Sequence, residues 1–447
     1  MSLIDTAREA RERKIHDALN AHRIVVTLAA NRPGQNKESL IANGVVYHFL
    51  KETLDEYPEA ALYAAYDALG AWIMLGVDDA TAALSAEAVK RFGLELEAGL
   101  AGRLLDFDVY EKQAGQIAQV SREALNLPPR RCLLCDDAAM ICRREGRHHE
   151  LELQTAFDET FTMLLADRPL ATQLGFMAEI ALWSELCRPL GFGSVTLNGP
   201  GSHNDMSVRL MFQSIRALGR AFVELTASDV ASFEALRAFG QRLEQDLSVV
   251  TNGVNTHKGA LFHFLFAIAG LLKTRETISS EDGLKVFVEH VSSSIEALAL
   301  PLMAEVLACD ELPDATKATL TGGLRSYLDY GHAGARQEAI RGYHVLLTQW
   351  LPRFYANPEL APLLPIMLHR IWDTTTLSRG GIGMVQTLRH MALRATTEDD
   401  LVRLSAWCEQ YGLSTGGSAD MIALLYFFYL AFTWRVFWLA EPQEHVS

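Results

Sequence analysis

A net charge of -15 over 447 residues argues against nonspecific nucleic-acid binding, which needs a basic face. With 49% hydrophobic residues the chain has enough apolar material for the cores of two or three domains. Six cysteines are too few for a disulfide scaffold at this length, so reduced thiols and a cytoplasmic setting are expected.

The segment Met1 to Lys14 is charged and lacks an apolar centre, so it does not read as a signal peptide, and residues 1–20 read as an Arg/Glu-rich helix. The β-branched run Arg23 to Ala30 predicts a strand. A loop with Pro33, Gly34 and Lys37 follows, and then apolar spacing predicts a helix over Leu40 to Tyr57. Ala60 to Val77 fits either a helix or two strands, with Asp67-Ala-Leu-Gly70 as a candidate hairpin turn. Thr81 to Leu96 reads as helical. Gly102 to Tyr110 alternates as a strand does, with Gln116 to Val120 as its candidate partner.

After Glu150 strand-like runs nearly vanish. Met211, Ile215, Leu218 and Phe222 mark one helix face, and Phe262–Leu272, Leu298–Leu307, Ile340–Trp350 and Met384–Leu393 behave alike. The expected architecture is therefore multidomain: an α/β (α+β) domain over 1–157, then an all-α domain over 158–447. Met421 to Ala440 is long and apolar, but Arg435 interrupts it. It is expected to be a buried helix, with no membrane partner.

Four polar or glycine-rich stretches precede or open helices in the second part: Ser202–Asp205, Asn255–Gly259, Ser378–Gly381 and Gly416–Asp420. A helix N-terminus offers unpaired N–H groups and partial positive charge, which suits phosphate. Lys258, Arg336 and Arg379 are candidate phosphate ligands there. Asp205, Glu338, Asp373 and Asp420 are candidate metal ligands or bases, and His203 and His257 candidate donors or proton carriers. In the first part Asp106 and Asp108 stand two apart on a predicted strand, so they share a face, as a Mg²⁺ site that clamps a triphosphate requires. Cys132, Cys135, Cys142 and His148 make a candidate zinc set beside a basic cluster of Arg130, Arg131, Arg143, Arg144 and Arg147. Reduced structural thiols are the other reading, favoured by the lack of a second close cysteine pair.

Several of these residues form longer motifs. Pro33-Gly34 with Lys37, Gly102-Arg103-Leu-Leu-Asp106-Phe-Asp108-Val, and Leu127-Pro-Pro-Arg-Arg-Cys-Leu-Leu-Cys135 through Cys142 resemble the apo-citrate lyase phosphoribosyl-dephospho-CoA transferases, the holo-citrate lyase synthases. Ser202-His-x-Asp-Met206, Gly253-Val-Asn-Thr-His-Lys-Gly259, Gly334-Ala-Arg-x-Glu-Ala339, Ser378-Arg-Gly-Gly381 and Gly416-Gly-Ser-Ala-Asp420 resemble the triphosphoribosyl-dephospho-CoA synthases. Together the two resemblances cover nearly the whole chain. They imply that ATP joins 3'-dephospho-CoA through a ribosyl–ribose bond with loss of adenine. Phosphoribosyl-dephospho-CoA would then pass to a serine of the apo acyl carrier subunit of citrate lyase, with loss of pyrophosphate. A second implied reading keeps only the transferase active and makes the helical domain a precursor-binding module. The synthase pattern is departed from at Arg188, Gln337 and Thr375, where the family carries lysine, glycine and asparagine.

On this basis the expected catalytic residues are Asp106, Asp108, Glu338, Asp420, His203 and His257. Lys37, Arg103, Arg130, Arg131, Lys258, Arg336, Arg379, Gly380, Gly381, Gly416, Gly417 and Ser418 are expected to bind substrate or phosphate. Asp106, Asp108 and Asp205 are the expected Mg²⁺ ligands, with ATP and 3'-dephospho-CoA as substrates.

Overall fold

The strand signal near Arg23 becomes β1 (Ile24–Ala30), the central strand of an antiparallel sheet. The computed structural model describes residues 2–34, 37–78, 84–166, 168–317 and 319–439. Within them the chain forms two compact units, Met1–Asp167 and Arg168–Ser447. Both are rich in helix, and the described strands form one five-stranded sheet.

The first unit opens with α1 (Leu3–Ala21), whose N-terminus is closed by a reciprocal Ser2–Asp5 capping box. After β1 come α2 (Leu40–Glu56), β2 (Ala61–Asp67), β3 (Gly70–Val77) and α3 (Ala86–Ala98). They are followed by β4 (Leu105–Gln113), β5 (Gln116–Gln119), α4 (Ala139–Glu145) and α5 (Glu150–Thr162). The strand order is β2-β3-β1-β4-β5. The Ala60–Val77 ambiguity is resolved as the β2–β3 hairpin. Asp67 Oδ1 accepts the Leu69 N–H at 2.8 Å to close the turn, and Arg11 holds the same carboxylate through two hydrogen bonds. One sheet face packs against α1, with Ile15, Ala18 and Leu19 set against Val25, Trp72 and Met74. The other lies under α3, where Phe107 meets Phe92 edge to face. Period-two alternation along β4 therefore sends Leu105, Phe107 and Val109 into the core and leaves Asp106, Asp108 and Tyr110 on the α1 face. α5 runs past residue 157 to Thr162, and Phe157, Phe161 and Leu165 are all buried.

The second unit is helical among its described residues. It comprises α6 (Leu170–Leu186), α7 (Val208–Val223), α8 (Phe233–Val250), α9 (Lys258–Thr274), α10 (Leu284–Ala299), α11 (Pro301–Ala308) and α12 (Asp314–Lys317). Then come α13 (Gly322–Tyr330), α14 (Ala335–Ile340), α15 (Leu351–Ala356), α16 (Leu364–Arg370), α17 (Thr374–Arg394), α18 (Glu398–Gln410), α19 (Gly416–Thr433) and α20 (Arg435–Trp438). Three helices apolar on nearly every face, α6, α9 and α19, form the centre, because only a buried helix tolerates that composition. By length and composition α19 could cross a membrane, but α6 and α9 pack against it within this unit. Arg435, just past its end, donates to the carbonyls of Ser280 and Phe432, both at 2.9 Å.

Two sequence-predicted helices are interrupted, and one predicted loop lies inside a helix. Leu298–Leu307 bends by 49° between α10 and α11, where Pro301 has no N–H to continue the ladder. Ile340–Trp350 breaks at Gly342 and Tyr343, which have φ of +56° and +52°, and resumes as a π-helical turn over Leu346–Trp350. Ser378–Gly381 does not open a helix. Asp373 caps α17 two turns earlier, and Gly381, with φ +71°, kinks that helix from within.

Candidate active sites

On β4, Asp106 stands opposite Ala29 and Asp108 opposite Thr27 of β1, the central strand. Both carboxylates open into a cavity of about 490 Å³ between α1 and the sheet, lined also by Arg8, Arg11, Tyr110 and Gln119. Burial, and then the neighbouring Asp106 charge, push the Asp108 carboxyl above the usual range, with Lys90 opposing. Arg130 bridges Asp106 Oδ1 at 3.3 Å and the buried Glu97 at 2.9 Å, and Arg122 holds the second Glu97 oxygen at 2.7 Å. The loop carrying Arg130 is tied back once more: Arg103 donates to the Cys132 carbonyl at 3.0 Å. Two oxygen-rich, partly desolvated carboxylates on one face fit a divalent cation such as Mg²⁺. Arg8 and Arg11, which supply positive charge to this cavity from α1, carried no motif and were missed by sequence reasoning.

The remaining predicted ligands of this unit are placed differently. Lys37 donates to the Arg32 carbonyl, and burial lowers its ammonium pKa. Arg131 lies on the surface, 3.5 Å from Asp136. The Cys132, Cys135 and Cys142 sulfurs and a His148 nitrogen converge within 4.8 Å of one another.

The second unit encloses a cavity of about 770 Å³, a volume that suits a nucleotide. Its wall brings together His203, His257, Lys258, Arg336, Glu338, Gly416, Gly417 and Asp420. Asp420 projects from the first turns of α19 and accepts the Ala260 N–H near the start of α9. Its carboxylate lies so close over Gly259 that a Cβ there would collide with it, which is why the His-Lys-Gly turn ends in glycine. Enclosure raises the Asp420 pKa well above the usual carboxyl range, helped by Glu185 and Asp373 nearby. Glu338 in α14 is likewise raised by burial, with Arg341 and Arg370 opposing. Both carboxyls face the Tyr343 phenol, and burial keeps that phenol protonated.

Positive charge enters this cavity from three residues. Arg336 donates to Thr321 Oγ1 at 3.1 Å, while its buried Nε has no partner among the described residues. Arg237 pairs with Glu305 over the Phe233 ring, and Lys258 pairs with Glu244 while about half exposed. Sequence reasoning did not find Arg237, Glu244 or Glu185, because no motif surrounds them.

Both histidines are hydrogen-bonded, and burial lowers the pKa of each. His257 donates or accepts at Ser214 Oγ, 2.7 Å from its Nδ1, and burial lowers its pKa to about 4. His203 Nδ1 accepts from Arg379 at 3.0 Å, so the proton sits on Nε2, which donates to Ser414 Oγ at 3.0 Å. Burial and the Arg379 charge lower its pKa.

Several expected ligands stand outside the cavity wall. Arg379 spends its guanidinium on His203 and on the carbonyls of Ser202 and Gly412, at 3.0 and 3.1 Å. Gly380 and Gly381 lie beside it within α17. Asp205 is mostly exposed, 3.9 Å from His203. Ser418 gives both its N–H and its hydroxyl to the buried Asp373, at 2.8 and 3.0 Å, so one carboxylate caps α17 and α19 together. Of the three departures, Arg188 is buried on Glu185 and the Leu190 carbonyl, and Gln337 accepts the Ala333 N–H at 3.2 Å. Thr375 packs against Gly416 in the cavity wall.

Each unit holds an acidic cavity flanked by arginines, an arrangement suited to phosphorylated substrates, and the family matches make the chain a bifunctional transferase. Residues 171–436 match the family "ATP:dephospho-CoA triphosphoribosyl transferase", and residues 2–163 match "Apo-citrate lyase phosphoribosyl-dephospho-CoA transferase". Among similar proteins, the Protein CitXG of Haemophilus influenzae is 30% identical, covering 77% of this chain and 77% of its own. The Protein CitXG of Leuconostoc mesenteroides is 27% identical, over 74% and 75%. A 2-(5''-triphosphoribosyl)-3'-dephosphocoenzyme-A synthase of Haemophilus ducreyi is 28% identical, over 66% of this chain and 98% of its own. The chain belongs to the triphosphoribosyl transferase family and carries the citrate lyase transferase ahead of it. It therefore performs both steps of citrate lyase prosthetic-group synthesis.

Proposed function

We propose that the two steps divide between the two units: Arg168–Ser447 forms the triphosphoribosyl intermediate and Met1–Asp167 transfers it. The first unit is thus an α/β transferase and the second an all-α synthase. The observation that carries the synthase reading is the meeting of Glu338, Asp420 and a buried, unpartnered Arg336 nitrogen around one nucleotide-sized cavity.

In the synthase a ribose hydroxyl of 3'-dephospho-CoA attacks C1' of the ATP ribose, and the C1'–N9 bond to adenine breaks. Glu338, kept ionisable by Arg341 and Arg370, takes the hydroxyl proton. Asp420, whose pKa is raised further, gives a proton to the departing adenine, so one proton leaves the hydroxyl and one reaches the base. Their carboxylate character also offsets the positive charge that grows on the sugar. Arg336 and Arg237 hold the triphosphate inside the cavity, and Lys258 guides it at the mouth. A neutral His203 and His257 set the walls and exchange no proton with substrate.

In the transferase a serine hydroxyl of the apo acyl carrier subunit attacks the α-phosphorus and pyrophosphate leaves. Asp106 and Asp108 would hold a divalent cation, which when bound would neutralise charge on the phosphates. Arg130 aims Asp106, and Arg8 and Arg11 present positive charge to the leaving pyrophosphate.

One incubation tests the whole reading. The full chain is given ATP, 3'-dephospho-CoA and the apo acyl carrier, with adenine read by chromatography and the carrier by intact mass. Adenine release that needs dephospho-CoA, followed by a carrier mass gain of phosphoribosyl-dephospho-CoA, is expected. No adenine release, with the carrier modified only when preformed triphosphoribosyl-dephospho-CoA is added, would reduce the helical unit to a binding module.

A further inference from the structure

The Cys132–His148 segment carries chemistry that neither reaction uses. It lies between β5 and α5, and from residue 120 to 138 it contains no helix or strand longer than an isolated bridge. Such a stretch buries little apolar surface of its own and needs another restraint to hold one shape. Three cysteines and a histidine nevertheless meet there, each aiming one donor atom into the same space within 4.8 Å.

We infer that Cys132, Cys135, Cys142 and His148 form a structural zinc site that fixes the loop carrying Arg130. The spacings match tetrahedral coordination. Zinc bonds of roughly 2.3 Å to sulfur and 2.0 Å to nitrogen put neighbouring ligand atoms roughly 3.5–3.8 Å apart, and the pairs at Cys135 lie within a few tenths of an ångström of that. Cys135 Sγ stands 3.4 Å from Cys142 Sγ and 3.3 Å from His148 Nε2. The backbone is shaped for the same purpose. The N–H groups of Leu134 and Cys135 both donate to the Cys132 sulfur, which steadies a thiolate. The turn is closed by Cys132 N–H to the Asp137 carbonyl at 2.7 Å and by Ala139 N–H to the Arg130 carbonyl at 2.9 Å. Cys142 comes from α4, and the Gly146 C-cap turns the chain so that His148 returns to the cluster.

Four protein ligands close the coordination sphere and leave no position for substrate, so the ion is structural rather than catalytic. Loading replaces the thiol protons of the three cysteines, which leave to solvent as the thiolates bind. Arg130, two residues before Cys132, reaches Asp106, and Arg103 grips the Cys132 carbonyl. The site thus lies one loop away from the acidic pair, and its link to transfer rests on the transferase reading above. Its existence does not, because the metal is read directly.

Full-length protein purified without chelator should contain one zinc ion per chain by elemental analysis. Exchange with cobalt(II) should give the intense visible bands of a tetrahedral ion and a near-ultraviolet thiolate charge-transfer band. Cys132→Ser and Cys142→Ser should each lose both signals. His148→Cys, which keeps four ligands, should retain the metal and shift the bands, and it guards against a variant that merely misfolds. Folded wild-type protein that carries no zinc, shows no tetrahedral cobalt spectrum and presents its thiols as free would overturn the inference. So would an intact mass lighter by two hydrogens, which would mean a Cys135–Cys142 disulfide occupies the place of the metal.

Discussion

The acidic groups of the two units are held in opposite ways. Asp106 and Asp108 share one strand, and the pleat alone puts them side by side, facing α1. Glu338 and Asp420 come from α14 and α19, far apart in the chain, and meet only because both helices wall one cavity. The strand pair sits at a partly open surface, with Asp106 paired to Arg130 and Asp108 raised by burial and by the Asp106 charge. The helical pair is enclosed and tuned by desolvation. A metal ion, once bound, would keep a carboxylate charged even where burial has raised its pKa, whereas a site that moves protons uses the raised pKa itself.

That contrast breaks most readily at Asp420. Asp420→Asn keeps the size and hydrogen bonding of a protonated carboxyl but cannot donate its proton, so adenine release should fall by roughly 10²- to 10⁴-fold. Carrier modification from preformed intermediate should be untouched. A variant that releases adenine at the wild-type rate would remove Asp420 from proton transfer.

The mirror experiment uses the strand. Asp106→Asn and Asp108→Asn should each slow carrier modification by about 10²- to 10³-fold while sparing adenine release. The pH dependence sharpens the point. Metal binding needs Asp108 ionised, and its pKa is raised, so transfer should fall on acidification above the pH at which an ordinary aspartate titrates. An acid limb no higher than that of an exposed aspartate would mean that Asp108 is not the group being titrated.

A smaller effect separates the cations. Arg336 is mostly enclosed, with a nitrogen awaiting a partner, so Arg336→Ala should raise the KM for ATP by roughly 10- to 150-fold, the worth of a charged hydrogen bond. Lys258 is about half exposed and already paired with Glu244, so Lys258→Ala should cost no more than about 5-fold. Equal effects of the two substitutions would place the triphosphate at the mouth of the cavity instead.

The smallest effect is on stability and belongs to the first unit alone. Burial pushes the Asp158 carboxyl up to about 6, and its Oδ1 has no hydrogen-bond partner among the described residues. A folded pKa above the unfolded one means that the native state prefers the proton. The penalty of its charge is therefore complete above about pH 6 and fades as the pH falls from there to about 4, where the unfolded chain takes up the proton too. Asp158→Asn should stabilise the unit by about 3 kcal/mol at alkaline pH and by almost nothing at about pH 3.5. Thermal melts at the two pH values check this, and equal melting temperatures of variant and wild type at pH 8 would show the carboxyl to be solvated.

Local chemistry was enough for much of this molecule. The β-branched run of β1, the alternation of β4 and the Asp67–Gly70 turn were each legible, because a strand declares its faces through neighbours two residues apart. The same rule exposed Asp106 and Asp108. The apolar helices α9 and α19 were legible because enclosure on every side leaves a continuous hydrophobic record. The helix breaks were less so. Pro301 was visible, but Gly342 and Gly381 depend on backbone angles that a glycine permits and does not dictate.

Tertiary structure alone decided the partners of these groups. Arg379 looked like a phosphate ligand in a glycine-flanked loop, yet its partners are carbonyls at Ser202 and Gly412, which only the fold brings near. Ser418 looked like part of an anion cradle until the buried Asp373 claimed its donors. Arg237 and Glu185 have no motif at all and enter the cavity through helix packing. Sequence fixes which groups exist and, through the period of a strand or helix, which face they take. Which cation keeps a free donor, and which carboxyl keeps its proton, depends on partners and solvent set by contacts between segments distant in the chain.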